Sequence, residues 1–356
     1  MKRLVILLCS LLLCSTLFAG EIKEIVFIGD SLSDSGNLYE KIKVIPKSPP
    51  YYKGRFSNGP TWAENVGKFY YDKSFIDFHN YAVGGATAFQ HNPLKDGFAP
   101  PITLTGEIYD YLLRSLFVNK SEVLYVIWIG ANDYLYNTKT SDMDETSSQV
   151  IENISWAVDT LAGYGAKNFL LLNLPDLAVT PYATDSNLKN ELHKVTLMHN
   201  TKLANAVKNL HTKYSHVKIA FIDVYGIFND LLNNPQKFNQ LYGKNITNMT
   251  QACWQGSMML RQNILNENAL TSDIQKSLLA EHQGSPKDIN ARTMAKTILS
   301  SPSLAEVYYT SKLAENGVQP CSNADQYIFW DHIHPTDSVH QVFAKIVENN
   351  LSDIDI

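Results

Sequence analysis

The chain has few cysteines, no dense cluster of charge and only one long apolar run among its 356 residues. Lysine and arginine total 30 against 35 for aspartate and glutamate, and because no basic run stands out, a nucleic-acid partner is not expected. No apolar run after Gly20 approaches the ~20 residues that a membrane-spanning helix needs. No internal repeat is evident. Since 45% of the residues are hydrophobic and 18% are charged, we expect a globular protein with a sizeable core.

The one long apolar run lies at the N terminus. Lys2 and Arg3 precede an uncharged stretch over residues 4–18, and the small residue Ala19 follows. This order of charge, apolar stretch and small residue is typical of a secretory signal peptide. The alternative, a membrane-spanning helix, is disfavoured because the stretch is too short. We therefore predict a signal peptide over residues 1–19 and a mature protein that is secreted or periplasmic.

Cysteine is scarce, and two of the four cysteines, Cys9 and Cys14, lie in the predicted signal peptide. The remaining pair, Cys253 and Cys321, would then lie in an oxidising compartment, where a disulfide is the usual outcome. Two buried free thiols are the alternative. The bridge would enclose a segment at about 254–320 that is rich in Asn, Gln, Ser and Lys. We interpret this segment as an exposed insertion, and we hypothesise that it is a lid that an external protease nicks to raise activity.

Short apolar runs alternate with helical patterns along the rest of the chain, which is typical of an α/β protein with a parallel sheet. Five runs predict strands, over residues 22–28, 75–82, 123–129, 167–172 and 217–224. The spacing of apolar residues predicts a helix between residues 188 and 210 and a last helix over residues 339–351. Because the candidate catalytic residues are spread over most of the chain, we predict one catalytic domain over residues 20–356 that carries the insertion.

The first candidate catalytic segment is Gly29-Asp30-Ser31-Leu32, directly after the first predicted strand. Open α/β folds bind their ligands at the carboxyl ends of the strands, so a turn at this place would expose Ser31. The backbone amide of Ser31 or of its neighbour would also face the negative oxygen of a reaction intermediate. A helix cap rich in serine and aspartate, with no catalytic role, is the alternative interpretation.

The second candidate segment is Asp331-His332-Ile333-His334, near the C terminus. An aspartate and a histidine three residues apart on a turn can face one another, and the carboxylate then holds the imidazole in the tautomer that accepts a serine proton. This spacing favours His334 over His332, whose side chain should point elsewhere. A metal site on the two histidines is the alternative, but no other convincing cluster of metal ligands is evident in the sequence, so no metal is predicted.

A site for acyl transfer also needs hydrogen-bond donors that stabilise the oxyanion. Gly84-Gly85 and Gly130-Ala131-Asn132 each follow a predicted strand, so both belong at the same edge of the sheet as Ser31. A glycine amide and the side-chain amide of Asn132 would join the backbone near Ser31 as three donors. An ordinary glycine turn and an Asx turn are the alternatives. The joint occurrence of these segments favours the catalytic interpretation.

The sequence resembles the GDSL or SGNH hydrolases, and among them the bacterial secreted phospholipases and lysophospholipases that include glycerophospholipid:cholesterol acyltransferases. The resemblance runs in the family order through FIGDSLSDSGN, GRFSNGPTWAE, NYAVGGAT, GANDY, NLPDLAVTP and FWDHIHPT, which together cover nearly the whole mature chain. It implies a three-layer α/β/α sandwich with a mainly parallel five-stranded sheet of the flavodoxin-like type.

The resemblance also implies roles for individual residues. It implies a catalytic triad of Ser31, Asp331 and His334. It implies an oxyanion hole of Ser31, Gly85 and Asn132, with Gly84 as the alternative to Gly85. It implies no metal and no organic cofactor.

The activity implied is that of a serine esterase that hydrolyses fatty-acyl esters of lysophospholipids and phospholipids, with transfer of the acyl group to cholesterol as a second reaction. Lipid is then the expected partner, and a membrane surface matters only as its source. A carbohydrate-ester deacetylase of the same fold is the alternative. A non-catalytic binding module is disfavoured because every expected catalytic residue is present.

Overall fold

The computed structural model describes residues 22–91, 102–136, 142–255, 266–281 and 290–353, so the predicted signal peptide lies outside the described residues. The centre of the fold is a sheet of five parallel strands in the order β2-β1-β3-β4-β5. The strands are β1 Glu24–Gly29, β2 Asp77–Asn80, β3 Val123–Trp128, β4 Asn168–Leu172 and β5 Lys218–Ile222. Each overlaps one of the five predicted runs, so the predicted parallel sheet is confirmed.

Helices cover both faces of this sheet. Every residue of β3 and β4 is buried, as expected of strands that are packed on both sides. Side chains three residues apart on a strand point to opposite faces, and on β3 Tyr125 contacts Tyr111 while Trp128 contacts Trp62 on the other face. The predicted α/β/α sandwich is therefore confirmed, and its strand order is that of the flavodoxin-like type.

Two sets of helices form the outer layers. On one face α2 (Trp62–Ser74) packs against α13 (Asp337–Asp353), and on the other α3 (Leu104–Arg114), α5 (Met143–Gly163) and α7 (Lys189–Lys213) lie side by side. The remaining helices are α1 Asn37–Ile42, α4 Ala131–Tyr136, α6 Pro181–Asp185, α8 Val224–Asn233, α9 Pro235–Tyr242, α10 Glu267–Glu281, α11 Ala291–Ser300 and α12 Pro302–Glu315. In the described parts of the chain no helix is long and apolar enough to span a membrane.

A second, two-stranded parallel sheet leads into the C-terminal candidate segment that carries Asp331 and His334. It pairs β6 (Asn248–Ala252) with β7 (Tyr327–Phe329). Just beyond β6 a disulfide joins Cys253 to Cys321, with their Cα atoms 4.9 Å apart. The Cys253 amide also donates a hydrogen bond of 2.9 Å to the carbonyl of Phe329. These bonds hold both ends of the disulfide-closed segment next to the strand that precedes Asp331.

The prediction that the disulfide-closed segment is an exposed flap is wrong for α12. Nearly every side chain of this helix from Ser303 to Leu313 is buried, and several fill a second hydrophobic core together with Tyr51 and Phe56. A polar average composition does not exclude buried helices in the segment. The neighbouring helix α11, for example, buries apolar side chains on one face and exposes polar ones on the other. The helix α12 is therefore part of the core, and its N-terminal end lies at the candidate active site.

Candidate active site

The turn after β1 presents Ser31 at the carboxyl edge of the sheet. The Leu32 amide donates a hydrogen bond of 3.1 Å to the Asp30 carboxylate within this turn. Gly29 lies so close to β3 that an added Cβ would come within 2.2 Å of the carbonyl oxygen of Trp128, so only glycine fits there. The turn lies between β1 and β3, where the strand order reverses, and open α/β sheets bind ligands at this point.

Ser31, His334 and Asp331 form a continuous chain of hydrogen bonds. His334 Nε2 lies 3.0 Å from Ser31 Oγ, and His334 Nδ1 lies 2.8 Å from Asp331 Oδ2. The ring of Phe56 packs against the imidazole with the two centroids 5.1 Å apart. Ser31 is 4% exposed, and His334 and Asp331 are fully buried. The fold thus brings together three residues from the two ends of the chain in the geometry of a serine nucleophile, its base and the carboxylate that orients the base.

Donors surround the Asp331 carboxylate. Besides His334 Nδ1, it accepts hydrogen bonds from the Tyr51 hydroxyl at 2.6 Å and from the backbone amides of Ile333 at 2.8 Å and His334 at 2.7 Å. Burial by itself raises the pKa of Asp331, but the charge of His334 and these hydrogen bonds outweigh burial, so the pKa lies below its ordinary value. Asp331 therefore stays ionised, as a carboxylate that orients an imidazole must.

His332 points away from Ser31, as its position beside Asp331 predicted. Its Nδ1 lies 2.6 Å from Glu306 Oε1 on α12, and its Nε2 lies 3.5 Å from Asp185 Oδ2. Burial lowers the pKa of His332, but the Glu306 carboxylate more than offsets this and holds the pKa above its ordinary value. The side chains of His332 and His334 thus face different partners. Among the described residues no group of three or more His, Cys, Asp or Glu side chains is arranged to hold a metal ion.

The geometry of the glycine doublet separates Gly84 from Gly85. The Gly84 amide donates a hydrogen bond of 2.7 Å to Asp34 Oδ2, so it is already engaged within the fold. Asp34 also accepts a bond of 2.7 Å from the Gly36 amide, and it thereby ties the doublet to the segment that carries Ser31. Gly85 has a φ of +79°, and an added Cβ would lie 2.7 Å from Leu304 of α12. The two glycines therefore make different contacts: the Gly84 amide bonds to Asp34, whereas Gly85 lies against Leu304 of α12.

Asn132, at the start of α4, lines the same cavity as Ser31. Its Nδ2 donates a hydrogen bond of 2.9 Å to the carbonyl of Ala86, the residue after Gly85. Its Oδ1 accepts a bond of 2.8 Å from Ser303 Oγ on α12. Both ends of the amide are therefore held, and the three segments predicted to supply oxyanion donors meet at one edge of the sheet.

Four more carboxyl groups are buried close to these segments: Asp30, Asp34, Glu107 and Asp133. Burial raises the pKa of each, to about 7 for Asp30 and to about 6 for Asp34. Backbone amides partly compensate for burial; Glu107, for example, accepts a hydrogen bond of 2.9 Å from the Gly29 amide. These carboxyl groups serve as acceptors that join the ends of the strands around the site.

An apolar cavity of about 80 Å³ lies beside Ser31 and His334. The helices α8, α9 and α13 line it with buried apolar side chains: Leu231, Phe238, Val339, Val342 and Ile346. Half-buried apolar side chains at Leu32, Val179, Phe228 and Ile333 complete the lining. A lining of this kind excludes water and suits an apolar chain better than a polar one.

Three side chains that touch the predicted residues were missed by the sequence analysis: Tyr51, Ser303 and Glu306. Each lies 26 or more residues from its partner, so no local spacing points to it. The one local signal is the Ser301-Pro302 pair, since a serine followed by proline typically starts a helix. Ser301 Oγ does accept the Leu304 amide as the N-cap of α12, yet this signal says nothing about what the helix contacts.

The sequence is similar to known proteins over most of its length. Residues 25–347, from β1 into α13, match the family described as GDSL-like Lipase/Acylhydrolase. The phosphatidylcholine-sterol acyltransferase of Aeromonas hydrophila is 31% identical over 325 residues, which are 90% of this chain and 88% of that protein. The thermolabile hemolysin of Vibrio parahaemolyticus is 25% identical over 347 residues, 94% and 65% of the two chains. The secreted effector protein SseJ of Salmonella typhimurium is 29% identical over 215 residues, 59% and 48%.

Proposed function

This chain belongs to the GDSL-like lipase and acylhydrolase family, and from that premise we propose that it is a serine esterase acting on fatty-acyl esters of lysophospholipids and phospholipids. One observation carries the proposal: Ser31 Oγ lies 3.0 Å from His334 Nε2, and both residues line an apolar cavity. Ser31 is the proposed nucleophile, His334 the general base and Asp331 the carboxylate that orients it. The amides of Ser31 and Gly85 and the Asn132 side chain are the proposed oxyanion donors.

The first half of the proposed reaction forms an acyl-enzyme. His334 Nε2 takes the proton of the Ser31 hydroxyl as Oγ attacks the ester carbonyl carbon. The carbonyl oxygen becomes negative in the tetrahedral intermediate and is stabilised by the three donors. The bond from the carbonyl carbon to the alcohol oxygen then breaks, and His334 returns its proton to that oxygen as the alcohol leaves.

The second half of the reaction releases the acyl group. A water molecule gives its proton to His334 and attacks the acyl carbon, and Ser31 Oγ leaves and regains the proton, so fatty acid is the product. If a sterol hydroxyl attacks in place of water, the same proton transfers yield a steryl ester. We propose hydrolysis as the main reaction and acyl transfer to cholesterol as the second.

A lipid substrate is supported by the apolar cavity and by the relative that is named a phosphatidylcholine-sterol acyltransferase. The catalytic serine is only 4% exposed, so a substrate must bring its ester bond into a recessed site. A lysophospholipid is the favoured substrate because a single-chain monomer reaches such a site without being lifted from a bilayer. A membrane surface is then only the source of substrate.

We also propose that the protein is exported and that an external protease activates it. One relative is named a secreted effector protein, which supports a secreted or periplasmic location, and the predicted signal peptide would provide the route. A cut within the disulfide-closed segment would leave both fragments joined through Cys253 and Cys321. Because α12 is buried, we expect an activating cut to fall before residue 290. Limited proteolysis, read on reducing and non-reducing gels beside an ester assay, tests this; a cut in the segment with an unchanged rate contradicts it.

The substrate proposal is tested by product analysis. The purified enzyme is incubated with lysophosphatidylcholine, with diacyl phosphatidylcholine and with either lipid plus cholesterol, and free fatty acid and cholesteryl ester are quantified by mass spectrometry. We expect fatty acid from both lipids, more of it from lysophosphatidylcholine, and a smaller amount of cholesteryl ester. A Ser31→Ala variant serves as the control for contaminating lipases.

Acetylated sugars form the competing arm of the same experiment. A deacetylase of this fold would carry the same three catalytic residues, but it would have no use for the apolar cavity beside Ser31. Rapid release of acetate from acetylated xylo-oligosaccharides, with no fatty acid from either phospholipid, would overturn the lipid proposal in favour of a carbohydrate esterase.

A further inference from the structure

Ser303 bonds to the proposed oxyanion donor Asn132 from a distant part of the chain. The two residues are 171 positions apart, and the 2.8 Å bond runs from Ser303 Oγ to Asn132 Oδ1. Ser303 is only 1% exposed and lines the same cavity as Ser31. The bond is therefore shielded from water and lies at the site itself.

The direction of this bond follows from the partners on each side. The Ala86 carbonyl can only accept, so the Asn132 atom that faces it is Nδ2, and Oδ1 faces Ser303. Ser303 must then donate its single hydroxyl hydrogen to Oδ1. The terminal amide torsion of an asparagine is soft, and two bonds at opposite ends of the amide set its plane. The direction of the second Nδ2 hydrogen is thereby fixed, and neither the bond to Ala86 nor the bond from Ser303 uses that hydrogen.

The position of Ser303 is set by the helix that carries it. Ser301 Oγ caps α12 through the Leu304 amide and lies 3.2 Å from Ser303 Oγ. The next residue, Leu304, packs against Gly85, the other proposed donor outside the Ser31 turn. The first turn of α12 thus contacts both oxyanion segments, although the helix belongs to the disulfide-closed segment.

We propose that Ser303 is a positioning residue that fixes the orientation of the Asn132 amide, so that the disulfide-closed segment sets the geometry of the oxyanion hole. This inference rests on the proposed role of Asn132. A donor that has to find its orientation during the reaction stabilises the oxyanion less than one that is already oriented. Loss of the Ser303 hydroxyl should therefore lower kcat and leave KM nearly unchanged.

A double-mutant cycle tests the proposal. Ser303→Ala, Asn132→Ala and the double variant are assayed with a short, water-soluble p-nitrophenyl ester, so that lipid preference does not enter. We expect Asn132→Ala to lower kcat by about 10²- to 10³-fold and Ser303→Ala to lower it by about 10-fold, with KM within about twofold. In the Asn132→Ala background the second change should have no further effect, because Ser303 would act only through Asn132. Ser303→Thr, which keeps the hydroxyl, should restore most of the rate.

The matched control is Ser311→Ala, on the same helix, where Ser311 Oγ donates to the Val307 carbonyl at 2.8 Å and the residue is also buried. It should lower stability without lowering kcat. Equal losses from Ser303→Ala in both backgrounds, or an unchanged kcat in Ser303→Ala alone, would overturn the inference and leave the proposed function intact. An unchanged kcat in Asn132→Ala would overturn both. If Ser303→Ala does not fold, Ser303→Cys keeps the size of the side chain with a weaker donor, and the same cycle decides.

Discussion

Tyr51 donates a hydrogen bond of 2.6 Å to Asp331, although the two residues lie 280 positions apart. Tyr51 is 1% exposed and belongs to the second hydrophobic core. Burial, and to a lesser degree the neighbouring Asp331 and Glu306 carboxylates, raise the pKa of Tyr51 well above its ordinary value, so the hydroxyl stays protonated and remains a donor. A neutral tyrosine therefore helps to keep the Asp331 carboxylate, the proposed third member of the triad, ionised.

Removal of this hydroxyl should shift the pH dependence of the reaction. The Tyr51 bond is one of the interactions that lower the pKa of Asp331, so Tyr51→Phe raises that pKa. Because the ionised carboxylate is the active form, kcat/KM of Tyr51→Phe should fall further below wild type as the pH is lowered, and the loss should be smallest at pH 8. The control is Tyr52→Phe, which removes the hydroxyl of the adjacent tyrosine, whose ring lies near Lys53 and Arg55. An identical acid limb in Tyr51→Phe and wild type would contradict the prediction.

The proposed triad predicts a strong and selective loss of activity. Ser31→Ala and His334→Ala should each lower esterase kcat by about 10⁴- to 10⁶-fold without unfolding the protein, because members of a triad act as a unit. Asp331→Asn should cost less. Ser33→Ala is the matched control, since Ser33 Oγ accepts a bond of 3.2 Å from Trp62 Nε1. Circular dichroism confirms folding, and normal turnover by a folded Ser31→Ala enzyme would refute the assignment.

The apolar cavity predicts a dependence on acyl-chain length. Val339, Val342 and Ile346 follow one another along α13 and span about 10 Å at the rise of a helix. Val342 lies one helical turn beyond Val339, so Val342→Phe would fill this part of the cavity. The value of kcat/KM for a sixteen-carbon ester should then fall at least about 10-fold relative to that for a four-carbon ester. A series of p-nitrophenyl esters measures this ratio. A uniform loss across the series would mean that the substitution disturbs the fold rather than the acyl site.

The buried carboxyl of Asp30 predicts a dependence of stability on pH. Its pKa of about 7 exceeds the value of about 3.9 in an unfolded chain, so its contribution to stability is full in acid and is lost as the pH rises through 7. Asparagine has no such loss and can still accept the Leu32 amide. The free energy of unfolding of Asp30→Asn minus that of wild type should therefore be larger at pH 8 than at pH 5, by about 2–3 kcal/mol.

Urea unfolding at the two pH values measures this difference. Asp325 is exposed, so Asp325→Asn should show no comparable change between pH 5 and pH 8. A gain in Asp30→Asn that is larger at pH 5 would have the wrong sign and would refute burial as the cause.

The disulfide predicts a loss of stability that leaves the chemistry intact. Replacing both Cys253 and Cys321 by serine frees a long loop in the unfolded chain, which should lower the free energy of unfolding by roughly 4 kcal/mol. Because α12 is held by its buried side chains, kcat at low temperature should stay close to wild type. Thermal melts and ester assays on the same samples measure both quantities. A large loss of kcat in a sample that is still folded would mean that the disulfide itself positions the site.

Local patterns in the sequence were sufficient for the sheet and much less so for the disulfide-closed segment. Buried parallel strands are continuous apolar runs, so all five were found with errors of only a few residues at their ends. The disulfide-closed segment was misread because its average composition is polar, whereas α12 is apolar enough to fill a core. Burial of a helix depends on which faces its neighbours offer, and composition carries no information on that.

The sequence alone determined the chemistry of the site and the edge of the sheet at which it lies. Asp331 and His334 meet because they are three residues apart on one turn, and parallel strands bring their carboxyl ends to the same edge whatever the rest of the chain does. Only the tertiary structure decided that the Gly84 amide bonds to Asp34, that Tyr51 bonds to Asp331, and that Ser303 bonds to Asn132. These contacts join residues up to 280 positions apart. Packing of the whole core determines which of these residues meet, and no local spacing in the sequence encodes that packing.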